Sequence, residues 1–367
     1  MTLRVGQVAN LRAIANLARR RTPISARQAK CAVFVLLLSG CGHYADFTLS
    51  PPDPSGPTAP FTWQASPAPV LTRGDPAAWD SSDVLNPSIV RFNGIYLNLY
   101  SGYDGHTWHT GIASAADGAQ WQKIGRAISP EGWEGSYIAA NGTALVSGKE
   151  IFYWYVGGPP GAHKIGLARS KNGGLDWAKN PEPVLSPGPR GSFDERAVAD
   201  PYVIRRGEWF YMVYLGQDRA SRQRLGIARS RDGIGWEKMR SNPVLELGDA
   251  GAFDEMGLGE PAVWTSGGAY WMLYTGRDRA ETRRIGLARS SDGVRWEREL
   301  SFRPLAGTEA WNNQVLCDPE VELLPDGKIR VWFGGGDVAA PDQGVHGQIG
   351  VGVLTGRMAP EDRAARR

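Results

Sequence analysis

A repeat of 55 to 60 residues runs through most of this chain and limits what it can fold into. Each copy pairs an aromatic with a polar residue and then, six or seven residues later, sets an Asn, Asp or Glu at the head of an apolar run. The copies are Trp79-Asp80 with Asn86, Trp133-Glu134 with Asn141, Phe193-Asp194 with Asp200, Phe253-Asp254 with Glu260, and Trp311-Asn312 with Asp318. The heads are separated by 55, 59, 60 and 58 residues, the length of a four-stranded unit and its turns. In the third copy the β-rich runs are Asp200 to Ile204, Trp209 to Tyr214, Leu225 to Ser230 and Trp236 to Lys238, with Gly, Asp-Gly and charged turns between them. A Ser-x-Asp-Gly-x-x-Trp segment joins the last two runs from Ser230 to Trp236 and from Ser290 to Trp296, with relatives at Ser114 to Trp121 and Ser170 to Trp177. Asp-Gly supplies the positive backbone angles of a tight hairpin, and the Trp packs on its neighbours. Antiparallel sheets that each need a neighbour to bury a face, repeated five times, predict an all-β, five-bladed β-propeller.

The ends of the chain suggest how such a ring closes. Trp121, Trp177, Trp236 and Trp296 recur through the first four copies, and none follows the last strand-like run at Ile349. The missing one stands near the start, as Trp63 before Pro69-Val70-Leu71. The fifth blade is therefore expected to take three strands from residues 317–355 and its outer strand from 61–66, which leaves no open seam. The propeller domain is placed at 61–356, with a disordered tail at 357–367.

Residues 1–40 read as a secretory signal. They hold seven basic residues and no acidic one, and they end in an apolar stretch, Cys31 to Leu38, followed by Ser39, Gly40 and Cys41. The Leu-Ser-Gly-Cys segment resembles the lipobox of bacterial lipoproteins, which implies cleavage before Cys41, lipidation of its thiol and a place in the cell envelope. A soluble secretory signal is the alternative. Removing 1–40 turns a net charge of +3 into −4, so the basicity belongs to the signal and nucleic acid is not an expected partner. Cys317 is then left without a disulfide partner. Residues 41–60, with Pro51, Pro52, Pro54, Pro57 and Pro60, read as a stiff extended tether.

The strand-opening Asp200-Pro201 and Glu260-Pro261, on five repeats whose third runs read Leu/Ile-Gly-Leu/Ile-Ala-Arg-Ser, resemble the five-bladed propeller glycosidases of glycoside hydrolase families 43, 32 and 130. The likeness spans residues 61–355. It implies a carbohydrate substrate, and a monomer is expected. The first strand of a propeller blade lines the axis, so Asn86, Asn141, Asp200, Glu260 and Asp318 are expected around one mouth of the funnel. A local explanation competes: a polar side chain before Pro can bond turn amides in extended geometry. That explanation accounts for Asn and Asp, but the longer Glu260 fits it poorly.

Glycoside hydrolysis needs one protonated and one ionised carboxyl flanking the bond. The family 43 pattern implies Glu260 as acid and Asp200 as the group tuning it, but its base position is Asn86, and an amide cannot deprotonate water. Asp318 is the first substitute and Asp83 the second. Family 130 resemblance offers a phosphorylase instead, with Asp200 as acid and Arg219, Arg222, Arg279 or Arg283 binding phosphate. The pairing of Asp218 with Arg219, repeated at Asp278 and Arg279, equally suits a solvated rim. Tyr103 and Trp108 are candidates to stack on sugar, and Asn86, Asn141 and His346 to contact it. No cluster has metal-ligand spacing, so no metal or other cofactor is expected. A third class, a carbohydrate-binding lipoprotein without turnover, is favoured by Asn86 alone.

Overall fold

The computed structural model describes residues 44–358, and over that range the protein is all-β, broken only by a 3-10 turn at Gly132–Glu134. The lipobox, Cys41 and the tail expected at 357–367 lie outside the described residues, apart from 357 and 358. Those two end the strand Gln348–Met358.

Antiparallel pairing groups the strands four by four. In the third copy Ala197–Arg206, Trp209–Gln217, Gln223–Ser230 and Glu237–Met239 pair in chain order. The other four copies repeat this arrangement, with first strands Asp83–Phe92, Ile138–Ser147, Gly257–Ser266 and Val315–Leu323. In the fifth group Pro57–Ala65 is the outer strand, lying antiparallel to Gln348–Met358 with Trp63 opposite Leu354. The first strands also touch in succession, and Val315–Leu323 packs on Asp83–Phe92.

Large aromatics fill the spaces between groups. Trp154 is fully buried against Phe210 and Trp236 of the next group and donates its indole N–H to the Gly233 carbonyl at 2.8 Å. Trp332 does the same to Gly118 at 2.7 Å. The Asp-Gly turns therefore serve two ends. Asp232 Oδ1 accepts from the Ile234 and Gly235 amides within its own hairpin, and the turn glycine receives a neighbour's Trp.

Each corner carries a buried polar set. Asp194 Oδ2 accepts from Tyr214 at 3.0 Å and from the Lys238 ammonium at 2.5 Å. Asp80 meets Tyr100 and Lys123, Glu134 meets Tyr155 and Lys179, and Asp254 meets Tyr274 and Arg298. A buried carboxylate with a cation and a hydroxyl satisfies its lone pairs, which is how such a charge is tolerated in a core. In the fifth copy Asn312 and Phe333 stand at these positions, and Asn312 Oδ1 accepts from the Glu309 amide instead.

The tether expected at 41–60 is corrected for residues 44–60, which lie along the propeller surface. Tyr44–Ala45 pairs in parallel with Lys238 and Met239, Phe47 packs on Tyr211, and Leu49 is buried. Backbone carbonyls of Ser50, Pro51, Asp53 and Ser55 then accept from Tyr270, Arg206, Gly268 and Gly267. Proline composition pointed to an extended shape. It could not show that the strip has a hydrogen-bonded bed to lie in.

Candidate active site

The five repeat heads stand inside their strands, not at the start, and each marks a β-bulge. Pairing slips between Leu85 and Ser88, Ala140 and Thr143, Ala199 and Tyr202, Gly259 and Ala262, and Cys317 and Glu320. At each slip the head is in the left-handed region: Asn86 at φ 50°, Asn141 at 51°, Asp200 at 48°, Glu260 at 48° and Asp318 at 52°. This corrects the extended geometry expected before proline. A non-glycine residue held there costs about 1–3 kcal/mol, so the surrounding structure must enforce it.

A bulge withdraws a backbone N–H from its ladder, and that donor needs an acceptor. The preceding group supplies one in two ways. Ser101 Oγ accepts from the Asn141 amide at 2.8 Å and Thr275 Oγ1 from the Asp318 amide at 3.1 Å. Ser101 and Thr275 occupy the same place, opposite the residue before the bulge. Groups three and five have Leu215 and Gly334 there, which offer no hydroxyl. In those groups the head itself serves: Asp200 Oδ2 accepts from the Glu260 amide at 3.2 Å and Asp318 Oδ2 from the Asn86 amide at 3.0 Å. Gly259 makes room for Asp200, since a Cβ there would come within 2.6 Å of its Oδ2. Glu260 and Asn86 belong to the hydroxyl-bearing groups, so neither is called on for this bond.

Glu260 therefore keeps its carboxylate for something else. It faces a cavity of about 410 Å³, within the size range of small-ligand sites, that is also lined by Asn86, Asn141, Asp200, Asp318, Trp108, Tyr137, His163, Arg196, Arg277, Arg283 and Asp342. Glu260 Oε2 is buried and makes no hydrogen bond among the described residues. Burial and the Glu260 carboxylate push the Asp200 carboxyl up to about 7, although it accepts from Asn141 Nδ2 at 2.7 Å as well as from the Glu260 amide. The same two causes hold Asp318 well above the usual carboxylate range. Asp200 and Asp318 thus retain protons at pH values where isolated carboxyls would have lost them.

Arg283 is the buried counter-charge of this group. Nearby Cys317, Glu260 and Asp318 outweigh its burial and hold the guanidinium protonated, while Nη2 donates to the Ala340 and Pro341 carbonyls at 3.0 and 2.6 Å. Ligand atoms of Glu260, Cys317 and Asp318 lie within 4.8 Å of one another, a cluster not foreseen from sequence spacing. Arg283 already neutralises it, which disfavours a cation.

Other expectations are corrected. Asp318 is buried, occupied by Asn86 and within 4.8 Å of Glu260, too close to leave the gap that an attacking water needs. Asp83 is wholly buried and accepts from the Gly347 and Gly344 amides at 2.7 and 2.6 Å, so it fixes a loop. Arg219 and Arg279 are exposed and pair with Glu195 and Glu255 on the rim, outside the cavity. His346 also falls outside the cavity wall and bonds Asp337. Tyr103 is buried behind Trp108, stacked on it at 4.6 Å, and only Trp108 lines the cavity. Asn86, Asn141, Asp200 and Glu260 do come together there.

The sequence reading missed Arg196, Arg277 and Asp342. Arg277 Nη1 pairs with Glu281 and Nη2 donates to Gln223, while Nε is buried without a partner. His163, in contact with Tyr137 at 6.1 Å between ring centres, is held neutral by burial, and its Nε2 is also unpartnered. The repeat did carry a signal for the arginine: Arg277 opposes Gly257 as Gln217 opposes Ala197, both at the same end of the second strand.

Comparison with known proteins agrees with this architecture. The family model described as "Glycosyl hydrolases family 32 N-terminal domain" matches residues 87–243. An uncharacterized protein of Mycobacterium tuberculosis is 30% identical over 231 residues, covering 58% of this chain and 75% of that protein. In fold the chain is similar to the β-propeller glycosidases and phosphorylases of families 32, 43 and 130. A 1,2-beta-oligomannan phosphorylase of Thermoanaerobacter is 31% identical over 127 residues, 32% of this chain and 42% of that protein. Among solved structures, the beta-1,2-mannobiose phosphorylase of Listeria innocua superposes with TM-score 0.63 at 10% identity, over 80% of this chain and 96% of that one. The GH32 beta-fructofuranosidase of Bombyx mori gives 0.58 at 19%, over 78% and 62%, and a thermostable family-43 glycoside hydrolase 0.58 at 16%, over 74% and 88%. At these identities the solved structures speak for the fold alone.

Proposed function

We propose that this protein hydrolyses a glycosidic bond of an oligo- or polysaccharide, with Glu260 as general acid and Asp200 as the group that keeps it protonated, on a five-bladed propeller closed by its N-terminal strand. The observation that carries the reading is the buried, unpartnered Oε2 of Glu260 at the cavity wall. Burial and the Glu260 carboxylate raise the Asp200 pKa, and both Asp200 oxygens already accept hydrogen bonds. Oε2 has no competing donor, which leaves it free for the proton that general acid catalysis gives to a leaving oxygen. Trp108 offers an aromatic face for a sugar ring, and Asn86 and Asn141 amide groups for its hydroxyls. The sequence from Cys31 to Cys41 supports a lipid-anchored place in the bacterial envelope. A Cys41→Ser variant is then expected to leave the membrane fraction, and unchanged fractionation would count against the anchor.

Phosphorolysis is the second reading. Arg196, Arg277 and Arg283 around one cavity favour it, Arg277 with an unpartnered Nε, and so do the phosphorylases among the similar proteins. A panel of p-nitrophenyl glycosides and β-linked oligosaccharides, assayed with and without phosphate, separates the readings. Hydrolysis gives free sugar at a rate indifferent to phosphate. Sugar phosphate formed only with phosphate present would overturn it, and glycan binding without any turnover would favour a binding protein.

A further inference from the structure

We propose that Asp342 is the base that activates the attacking water, a role that rests on the hydrolase reading above. Four carboxyls line the cavity among the described residues: Asp200, Asp318, Glu260 and Asp342. The first two are buried and committed to the amides of Glu260 and Asn86. Glu260 is the acid. Asp342 alone is exposed to solvent, where water can reach it.

Its position is enforced from both sides. Arg283 Nη2 holds the carbonyls of Ala340 and Pro341, and the Tyr137 hydroxyl donates to Gln343 Oε1 at 3.1 Å. Beyond them Asp83 holds the Gly344 and Gly347 amides. Arg283 is thus near Glu260 at one end and fastens the Asp342 loop at the other, so one guanidinium relates the two carboxyls. The charge of Asp342 is felt by Tyr137 and His163, on the wall formed by the second group, whereas Glu260 rises from the fourth. In the step, water oxygen bonds to the anomeric carbon and gives a proton to Asp342. The bond to the leaving oxygen breaks as that oxygen takes the proton from Glu260, and solvent exchange returns both carboxyls to their starting states. Attack from the face opposite the leaving group inverts the anomeric centre.

The test uses Asp342→Asn and Asp342→Ala, on an exposed loop residue, with the p-nitrophenyl glycoside that the wild type hydrolyses best. The role predicts a fall in kcat of about 100-fold or more for both variants, even with this good leaving group, because attack needs the base whatever departs. Azide should restore turnover to Asp342→Ala and yield a glycosyl azide of inverted configuration. A loss below about threefold, or azide without effect, overturns this role while leaving the hydrolase reading intact. A wild type that turns over only with phosphate, or not at all, overturns that reading and this role with it.

Discussion

The corners and the axis of this propeller are built from the same repeat, yet they treat it oppositely. At the corners one chemical solution recurs: carboxylate, tyrosine and cation in Asp80, Glu134, Asp194 and Asp254. At the axis the backbone recurs, with five bulges and five left-handed residues, while the side chains diverge through Asn86, Asn141, Asp200, Glu260 and Asp318. Where chemistry repeats it holds the fold. Where the backbone repeats and the chemistry does not, the position is available for function, and Glu260 is the carboxylate head that no backbone amide claims.

The largest expected effect lies at the axis. Glu260→Gln keeps shape and removes the proton, so activity on unactivated glycosides should fall by about two to four decades. Thermal unfolding should move by no more than about 0.5 kcal/mol. A corner variant should reverse this pattern. Asp194→Ala leaves Lys238 buried beside an empty space, at about 3–5 kcal/mol, with a midpoint lowered by roughly ten degrees. Its kcat at a temperature where it remains folded should stay near that of the wild type. Equal damage to rate and stability in both variants would erase the distinction between the two regions.

A subtler effect concerns protons. Because burial and Glu260 raise the Asp200 pKa from 3.8 to about 7, the folded protein binds more protons than the unfolded chain in that interval. Stability contributed by this group is full below pH 4 and is lost as pH rises toward 7. Asp200→Asn should flatten that slope in chemical denaturation between pH 4 and 7. The smallest effect tests the amide device. Thr275→Val deprives the Asp318 N–H of its acceptor and should cost about 1–3 kcal/mol, whereas Val156, at the same place in the second group, shows that the shape is accommodated.

Much of this contrast was legible in the sequence. The spacing of heads, the Asp-Gly-x-x-Trp hairpins and Trp63 near the start give the grouping of strands, because each is a local signal repeated at fixed distance. Glu260 stood out by breaking a run of Asn and Asp. The roles of Asp83 and Asp318 were not legible, since both turn on amides more than 200 residues away in sequence. Nor was the seating of residues 44–60, whose partners Tyr211, Lys238 and Gly267 lie on distant strands. Arg219 and Arg279 drew notice as a repeated Asp-Arg pair, and repetition was the sign that they belong to the scaffold.

The central claim is that the proton for the leaving group resides on Glu260. It is tested most directly by comparing wild type and Glu260→Gln on a series of aryl glycosides that differ only in leaving-group acidity. The account predicts a rate ratio of about two to four decades for the least acidic leaving groups, shrinking toward one for the most acidic, which depart without help. A ratio that stays constant across the series would mean that Glu260 binds or orients the substrate and that the proton comes from elsewhere.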